Sequence, residues 1–435
     1  MTVLFATGFG MAPLEWVPLT WTSKIGGAQS TVQTGTIISG SASLKLDCTT
    51  TGGTDAHCSA TSDVYYPDMM FHFNFRVTAV PAASSSEIIV ISLQDGNSIA
   101  AGASSFFRMN ITRNAGGTAP MLRFRICPGG PNDANALARD FDIAVNTTYS
   151  AQIRLVVPAT GVTADIAQWA FAEVKIDDVI RYRQWGRELS MGLDSKVNVQ
   201  LGQAFNALET YPAADVYIDD FMMSTATGTY NNKWPGNALT VEDLAPTLPS
   251  TNMAYDAWTL VDPAPTTGKA ACLSQAPEAA NRVTGGTAGD KQSWNLSDMS
   301  GSGTIRCVTL CNQTDQPTAG SAQAVVRPIL WDTEPGTDLE VAGTSYTVNN
   351  LSSNANVAKA SGLRGRCWVY ERTPSAAAAW TSTIINALEG GMEIVSKGTS
   401  APYVTDARVY VLEGTEGAEA PRPMPPGAMP GGVAI

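Results

Sequence analysis

Asp215–Pro246 reads DVYIDDFMMSTATGTYNNKWPGNALTVEDLAP. Val216, Ile218 and Phe221 are apolar, and Asp215, Asp219 and Asp220 are acidic, as in a strand with one polar side. Ser, Thr, Gly and Asn then accumulate, and Trp234-Pro235-Gly236 marks a turn before a new apolar run at Leu239–Val241. A strand, a turn-rich loop and a second strand at mid-chain predict the end of one β-rich domain and the start of another.

Outward from this stretch, period-two alternation dominates. Leu122, Phe124 and Ile126 face one side of Met121–Ile126, and Arg123 and Arg125 face the other. Phe71, Phe73, Phe75 and Val77 alternate with His72, Asn74 and Arg76. Ser43–Leu46, Glu87–Leu93, Ala151–Val157, Phe171–Ile176 and Lys196–Leu201 extend the set. Beyond the midpoint come Thr304–Leu310, Ala324–Trp331, Arg366–Tyr370 and Asp406–Leu412. Such runs between Gly, Pro, Asn and Asp turns predict an all-β protein of two antiparallel jelly-roll sandwiches in tandem. The boundaries follow: a first sandwich over 1–230, a linker over 231–236, a second sandwich over 237–414, and an extended or disordered Pro/Gly-rich tail over 415–435. Trp380–Gly391 departs from the pattern, with Ile384, Ile385 and Leu388 at helical spacing, and predicts a short helix closed by a Gly cap.

Composition fits this reading. The 435 residues exceed one ordinary core, and 44% hydrophobic with only 15% charged residues favours short strands over long surface helices. The net charge of −12 and the lack of a Lys/Arg cluster argue against phosphate-directed nucleic-acid binding. No apolar run reaches membrane-spanning length, and the N-terminus lacks a basic, then apolar, signal pattern. Seven scattered cysteines with no CxxC pair predict buried thiols, and Cys307 and Cys311 on one strand are too far apart to bridge each other.

Chemistry-bearing motifs are sparse. His57 and His72 are the two histidines. His72 reads as an outward strand residue, and Cys48, His57 and Cys58 match no familiar zinc spacing. Nucleotide-binding, HExxH and GxSxG motifs are missing. Glu173 and Asp177 stand too far apart on a straight strand for a retaining glycosidase pair. The chain is therefore expected not to be an enzyme and to need no cofactor. Asp215, Asp219 and Asp220 are the candidates for a Ca2+ site. Trp169, Tyr182, Trp185, Tyr211 and Trp234 are candidates for a glycan-stacking or interface face. Pro421, Pro423, Pro425, Pro426 and Pro430 mark the tail as a candidate assembly arm.

The opening LFATGFG, the stretch Thr34–Leu46 with its Gly-Ser-Ala-Ser-Leu, the strand-turn-strand Ala172–Ile180 and, above all, Asp215–Pro246 resemble segments of tailed-bacteriophage structural proteins with concanavalin-A-like, laminin-G-like sandwiches. Thr7 stands where an acidic residue is common in that family, and Asp178 replaces its turn glycine. The resemblance implies a non-enzymatic virion protein made in the host cytoplasm and exposed on the particle, as a tail, tail-tip or fibre component. Capsid decoration or a head fibre is one alternative, and a carbohydrate-binding module is another. The implied partners are other virion proteins, copies of itself (a trimer favoured) and a host-surface glycan, with no nucleic acid and no membrane insertion.

Overall fold

The computed structural model describes residues 2–9, 16–18, 21–26, 30–40, 42–48, 56–62, 66, 68–82, 87–95, 105–126, 137–156, 170–187, 197–203, 213–225, 230, 234–247, 254–261, 269, 273, 282–315, 323–332, 339–342, 345–348, 364–374, 377–399 and 401–415. Two compact units result. One takes in Met1–Leu4 and Thr20–Leu239, and the other Phe5–Leu19 and Thr240–Gly414.

Among the described residues, sixteen strands precede the mid-chain turn. They are β1 (Thr2–Thr7), β2 (Trp16–Pro18), β3 (Trp21–Gly26), β4 (Ser30–Gln33), β5 (Ser43–Leu46), β6 (Ala56–Ser62), β7 (Asp68–Val77), β8 (Ile88–Asp95), β9 (Ser105–Arg113), β10 (Pro120–Ile126), β11 (Leu137–Asp142), β12 (Tyr149–Val156), β13 (Ala170–Ile176), β14 (Val179–Arg187), β15 (Val197–Gln203) and β16 (Val216–Thr225). One sheet runs β14-β13-β12-β7-β16-β5-β4, with β1 also on β16. The other runs β11-β10-β9-β8-β15-β6-β3. Phe71, Phe73 and Phe75 of β7 are fully buried, as are Phe107, Met109 and Ile111 of β9. Full burial of each such side chain is worth about 1.5–3 kcal/mol. Phe124 of β10 meets Tyr182 of β14 at 5.7 Å between ring centres, which ties one sheet to the other.

The second unit holds β17 (Thr240–Leu244), β18 (Thr259–Val261), β19 (Arg282–Thr284), β20 (Lys291–Asn295), β21 (Ile305–Asp315), β22 (Val325–Asp332), β23 (Leu339–Ala342), β24 (Tyr346–Thr347), β25 (Arg364–Tyr370), β26 (Glu389–Ser396) and β27 (Tyr403–Glu413). One sheet is ordered β18-β19-β27-β21-β25-β2, with β17 on β27. The other is ordered β20-β26-β22-β23, with β24 on β22. The β2–β25 pairing is parallel and joins Trp16–Pro18 to Gly365–Cys367. Trp258, Trp294, Val308, Leu310, Met392 and Ile394 lie in its buried core.

The expected all-β architecture is present. The expected short helix is present as well, but glycine does not cap it. The helix α1 covers only Ser382–Asn386, Thr381 caps its start by accepting from the Ile384 N–H, and Ala387 closes it. Gly390 and Gly391 belong instead to β26, and a Cβ on Gly391 would stand 2.7 Å from Ile329 Cγ1. The glycines serve close strand packing there, not a helix end.

Candidate functional site

Two polar faces back the first sandwich. The first is the outer side of the sheet containing β7, β12 and β16. Here β16 carries a bulge, because Asp219 opposes Asn74 while Met222 opposes His72. The extra residue gives Asp220 a φ of 50° and turns its carboxylate toward Asn74, which donates at 2.7 Å. Ser39 Oγ donates to Asp220 at 2.5 Å, and Ser43 Oγ donates to Asp219 at 2.7 Å. Burial, and then the neighbouring Asp220 charge, push the Asp219 carboxyl up to about 7.

Asp215 sits at the start of the same strand, 3.0 Å from Lys45 Nζ. Burial nevertheless raises its pKa, with the Lys45 ammonium pulling the other way. Four residues on a strand span about 13 Å, so Asp215 and Asp219 do not share a cation. Among the described residues no group of three or more His, Cys, Asp or Glu stands together in a way that could hold a metal ion.

His72 does point to the outer face, opposite the phenylalanines, but it is fully buried and not solvent-facing. Its Nδ1 is 3.0 Å from the Asp220 carbonyl, which can only accept, so Nδ1 carries the proton. Nε2 then accepts from Ser150 Oγ at 3.1 Å. Beside it, Gln152 accepts from the Gly236 N–H, and Lys175 Nζ lies 4.1 Å from the centre of the buried Trp234 ring. Burial lowers the Lys175 pKa. His72 and Gln152 are thus held by hydrogen bonds, while the buried Trp234 Nε1 has no acceptor among the described residues.

The second face is the outer side of the other sheet. Arg125, Arg108, Ser92 and Gln200 line up across β10, β9, β8 and β15, and Gln94 and Asn198 form the next row. Adjacent strands are about 4.8 Å apart, so the band is roughly 14 Å long. At one end Arg123 clamps Asp140 through two hydrogen bonds of 2.8 and 3.0 Å, and both Arg123 and Arg125 reach Glu87.

The amide orientations follow from groups that cannot donate. Gln200 Nε2 donates to the Gly202 carbonyl at 3.0 Å, so its oxygen faces Gln94. Gln94 Nε2 donates to that oxygen at 3.0 Å, so Gln94 Oε1 faces Asn198 and accepts from its Nδ2 at 3.4 Å. Asn198 Oδ1 is left without a donor. Asn110 Nδ2 donates to the Glu87 carboxylate at 2.7 Å, which leaves Asn110 Oδ1 without one as well. Asn110 and Asn198 are both fully buried. An unmade hydrogen bond on a buried group costs about 1–3 kcal/mol.

Of the candidate aromatics, Tyr182 and Trp234 are buried. Tyr182 belongs to the core contact with Phe124, and Trp234 is buried against Lys175. Trp185 falls on β14 opposite Phe171. Trp169, Tyr211 and the tail prolines Pro421, Pro423, Pro425, Pro426 and Pro430 lie outside the described residues. Cys48 is buried, and His57 and Cys58 fall on β6. The amide band was missed in the sequence because Ser92, Gln94, Asn110, Asn198 and Gln200 come from three separated strands and match no motif; their alternation with core residues was the available signal.

No protein-family model matches the sequence, and no curated protein is similar to it in sequence. Solved structures similar to the chain include alginate lyase Aly36B, at 14% identity and a TM-score of 0.33, covering 47% of this chain and 86% of that one. An alginate lyase of Pseudomonas aeruginosa matches at 11% identity and a TM-score of 0.29, covering 39% and 74%. The cellulose-induced protein Cip1 matches at 12% identity and a TM-score of 0.29, covering 46% and 86%. At these values the likeness is one of sandwich architecture, and what those proteins act on is not carried to this chain. One expectation is nevertheless corrected. The chain was expected not to be an enzyme, whereas the solved structures similar to it include enzymes. These neighbours also lend nothing to a phage virion role.

Proposed function

We propose that the first sandwich binds a carbohydrate chain across the outer face of β8, β9, β10 and β15. The observation that carries this reading is the band of neutral amides with two buried carbonyl oxygens, Asn110 Oδ1 and Asn198 Oδ1, that have no donor. Sugar hydroxyls are donors of the right kind, and fixed amides on a rigid sheet are how an uncharged polyol is oriented. Arg123 and Arg125 are already held by Glu87 and Asp140 and are not open to an anion. Both oxygens are closed to solvent in this state. No feature described here supports a virion role.

The test is native electrophoresis of the full chain through gels containing neutral and uronic-acid polysaccharides, beside Asn110→Ala and Asn198→Ala. Retardation by at least one polysaccharide is expected, with each variant weakened by about tenfold, the equivalent of one hydrogen bond of about 1.4 kcal/mol. Tryptophan fluorescence checks that the variants are folded. Failure of every polysaccharide to retard the protein, or variants retarded like the parent, sinks the proposal. Release of new reducing ends during incubation would make the same face a catalytic one.

A further inference from the structure

In the second unit, Cys311 of β21 stands directly opposite Cys367 of β25 in an antiparallel pair. The register is regular on both sides, with Leu310 opposite Trp368 and Asn312 opposite Arg366. Directly opposed residues share one face of the sheet. Their Cα atoms are about 4.5 or 5.5 Å apart, depending on whether the pair is hydrogen-bonded. Either separation falls inside the roughly 4.4–6.8 Å window in which a disulfide closes without backbone movement. Both side chains are buried and both thiols are reduced. Cys307 lies on the same strand but opposite Leu412, about 13 Å away along β21. Burial also pushes the Cys307 thiol up to about 12, which makes it a poor nucleophile.

We propose that Cys311 and Cys367 are an oxidation site that closes into a cross-strand disulfide when the protein meets a peroxide. One thiol gives up its proton and attacks hydrogen peroxide, forming a sulfenic acid and releasing water. The second thiol attacks the sulfenic sulfur, the S–S bond forms, and the hydroxyl leaves as a second water. Two thiols and one peroxide thus give one disulfide and two waters. Peroxide is small, and β25 lies next to the end of its sheet, flanked by the three-residue β2. Local opening there admits the oxidant. The bond ties positions 311 and 367 together in the unfolded chain as well, so it raises stability.

The experiment treats the folded full-length protein with hydrogen peroxide, alkylates it under denaturing conditions and maps non-reduced peptides by mass spectrometry. The expected result is one linked peptide pair containing Cys311 and Cys367, with titratable thiols falling by two. The urea midpoint should rise and return on reduction. Cys311→Ser abolishes the link and Cys307→Ser leaves it. Linkage through any other pair, or sulfinic acid without linkage, overturns the proposal, and the parent protein alone suffices to decide. Unfolded protein oxidised in urea should give scrambled pairs.

Discussion

The carboxyl of Asp219 holds its proton far longer in the folded protein than in the unfolded chain, about 7 against an ordinary 3.8. The folded state therefore binds the extra proton, and the stability this contributes is fully present below about 4 and is lost as pH rises through 7. Urea midpoints measured from pH 5 to 8 should fall with rising pH, and Asp219→Asn should flatten that slope. An unchanged slope in the variant would place the titration elsewhere. The turn between β13 and β14 makes a second residue-scale case. Asp177 and Asp178 adopt φ of 50° and 61°, the left-handed region. Asp177 accepts from the Ser150 N–H, and Asp178 accepts from Gln152 at 2.5 Å. The sequence made this hairpin legible, because two aspartates after a period-two run tolerate that conformation where β-branched residues do not. Asp178→Val should cost about 2 kcal/mol in equilibrium unfolding, from the left-handed penalty of about 1–2 kcal/mol and the lost hydrogen bond.

At the scale of strands, alternation was decisive wherever one face is apolar. Phe71 to Val77 and Met121 to Ile126 fall on β7 and β10 as their pattern requires. The bulge in β16 was not legible, because it arises from pairing with β7 and not from any local signal. The same limit hid the amide band, whose members meet only through strand register. Gly390-Gly391 misled for a related reason: next to a helical pattern, glycine reads as a cap, while its real role is set by Ile329 and Trp294 on neighbouring strands. Gly391→Ala should therefore destabilise by about 1–3 kcal/mol through overpacking. Gly286→Ala, where the nearest atom is Asp290 Oδ2 at 3.7 Å, should stay within about 0.5 kcal/mol. Equal effects at the two positions in a thermal melt would refute the packing account.

At the scale of the whole molecule, the sequence suggested a simple order of one sandwich after another. The structure instead assigns Phe5–Leu19 to the unit that otherwise begins at Thr240. Nothing in the residues around Trp16 announces a parallel partner some 350 positions later. Removal of residues 1–19 should expose the edge of β25, and hydrogen exchange should then show faster amides over Arg364–Tyr370 while β10 and β11 keep their protection. Unchanged exchange in Arg364–Tyr370 would mean that β2 adds nothing to that sheet. The arrangement also sets a clock on the ribosome. Residues 16–18 are made some 350 residues before the backbone they pair with, an interval of about 20–70 s at roughly 5–20 residues per second. For that interval the nascent chain carries a strand with no mate, a natural point for a chaperone to hold it and for a slowed codon to leave its mark on the yield of finished protein.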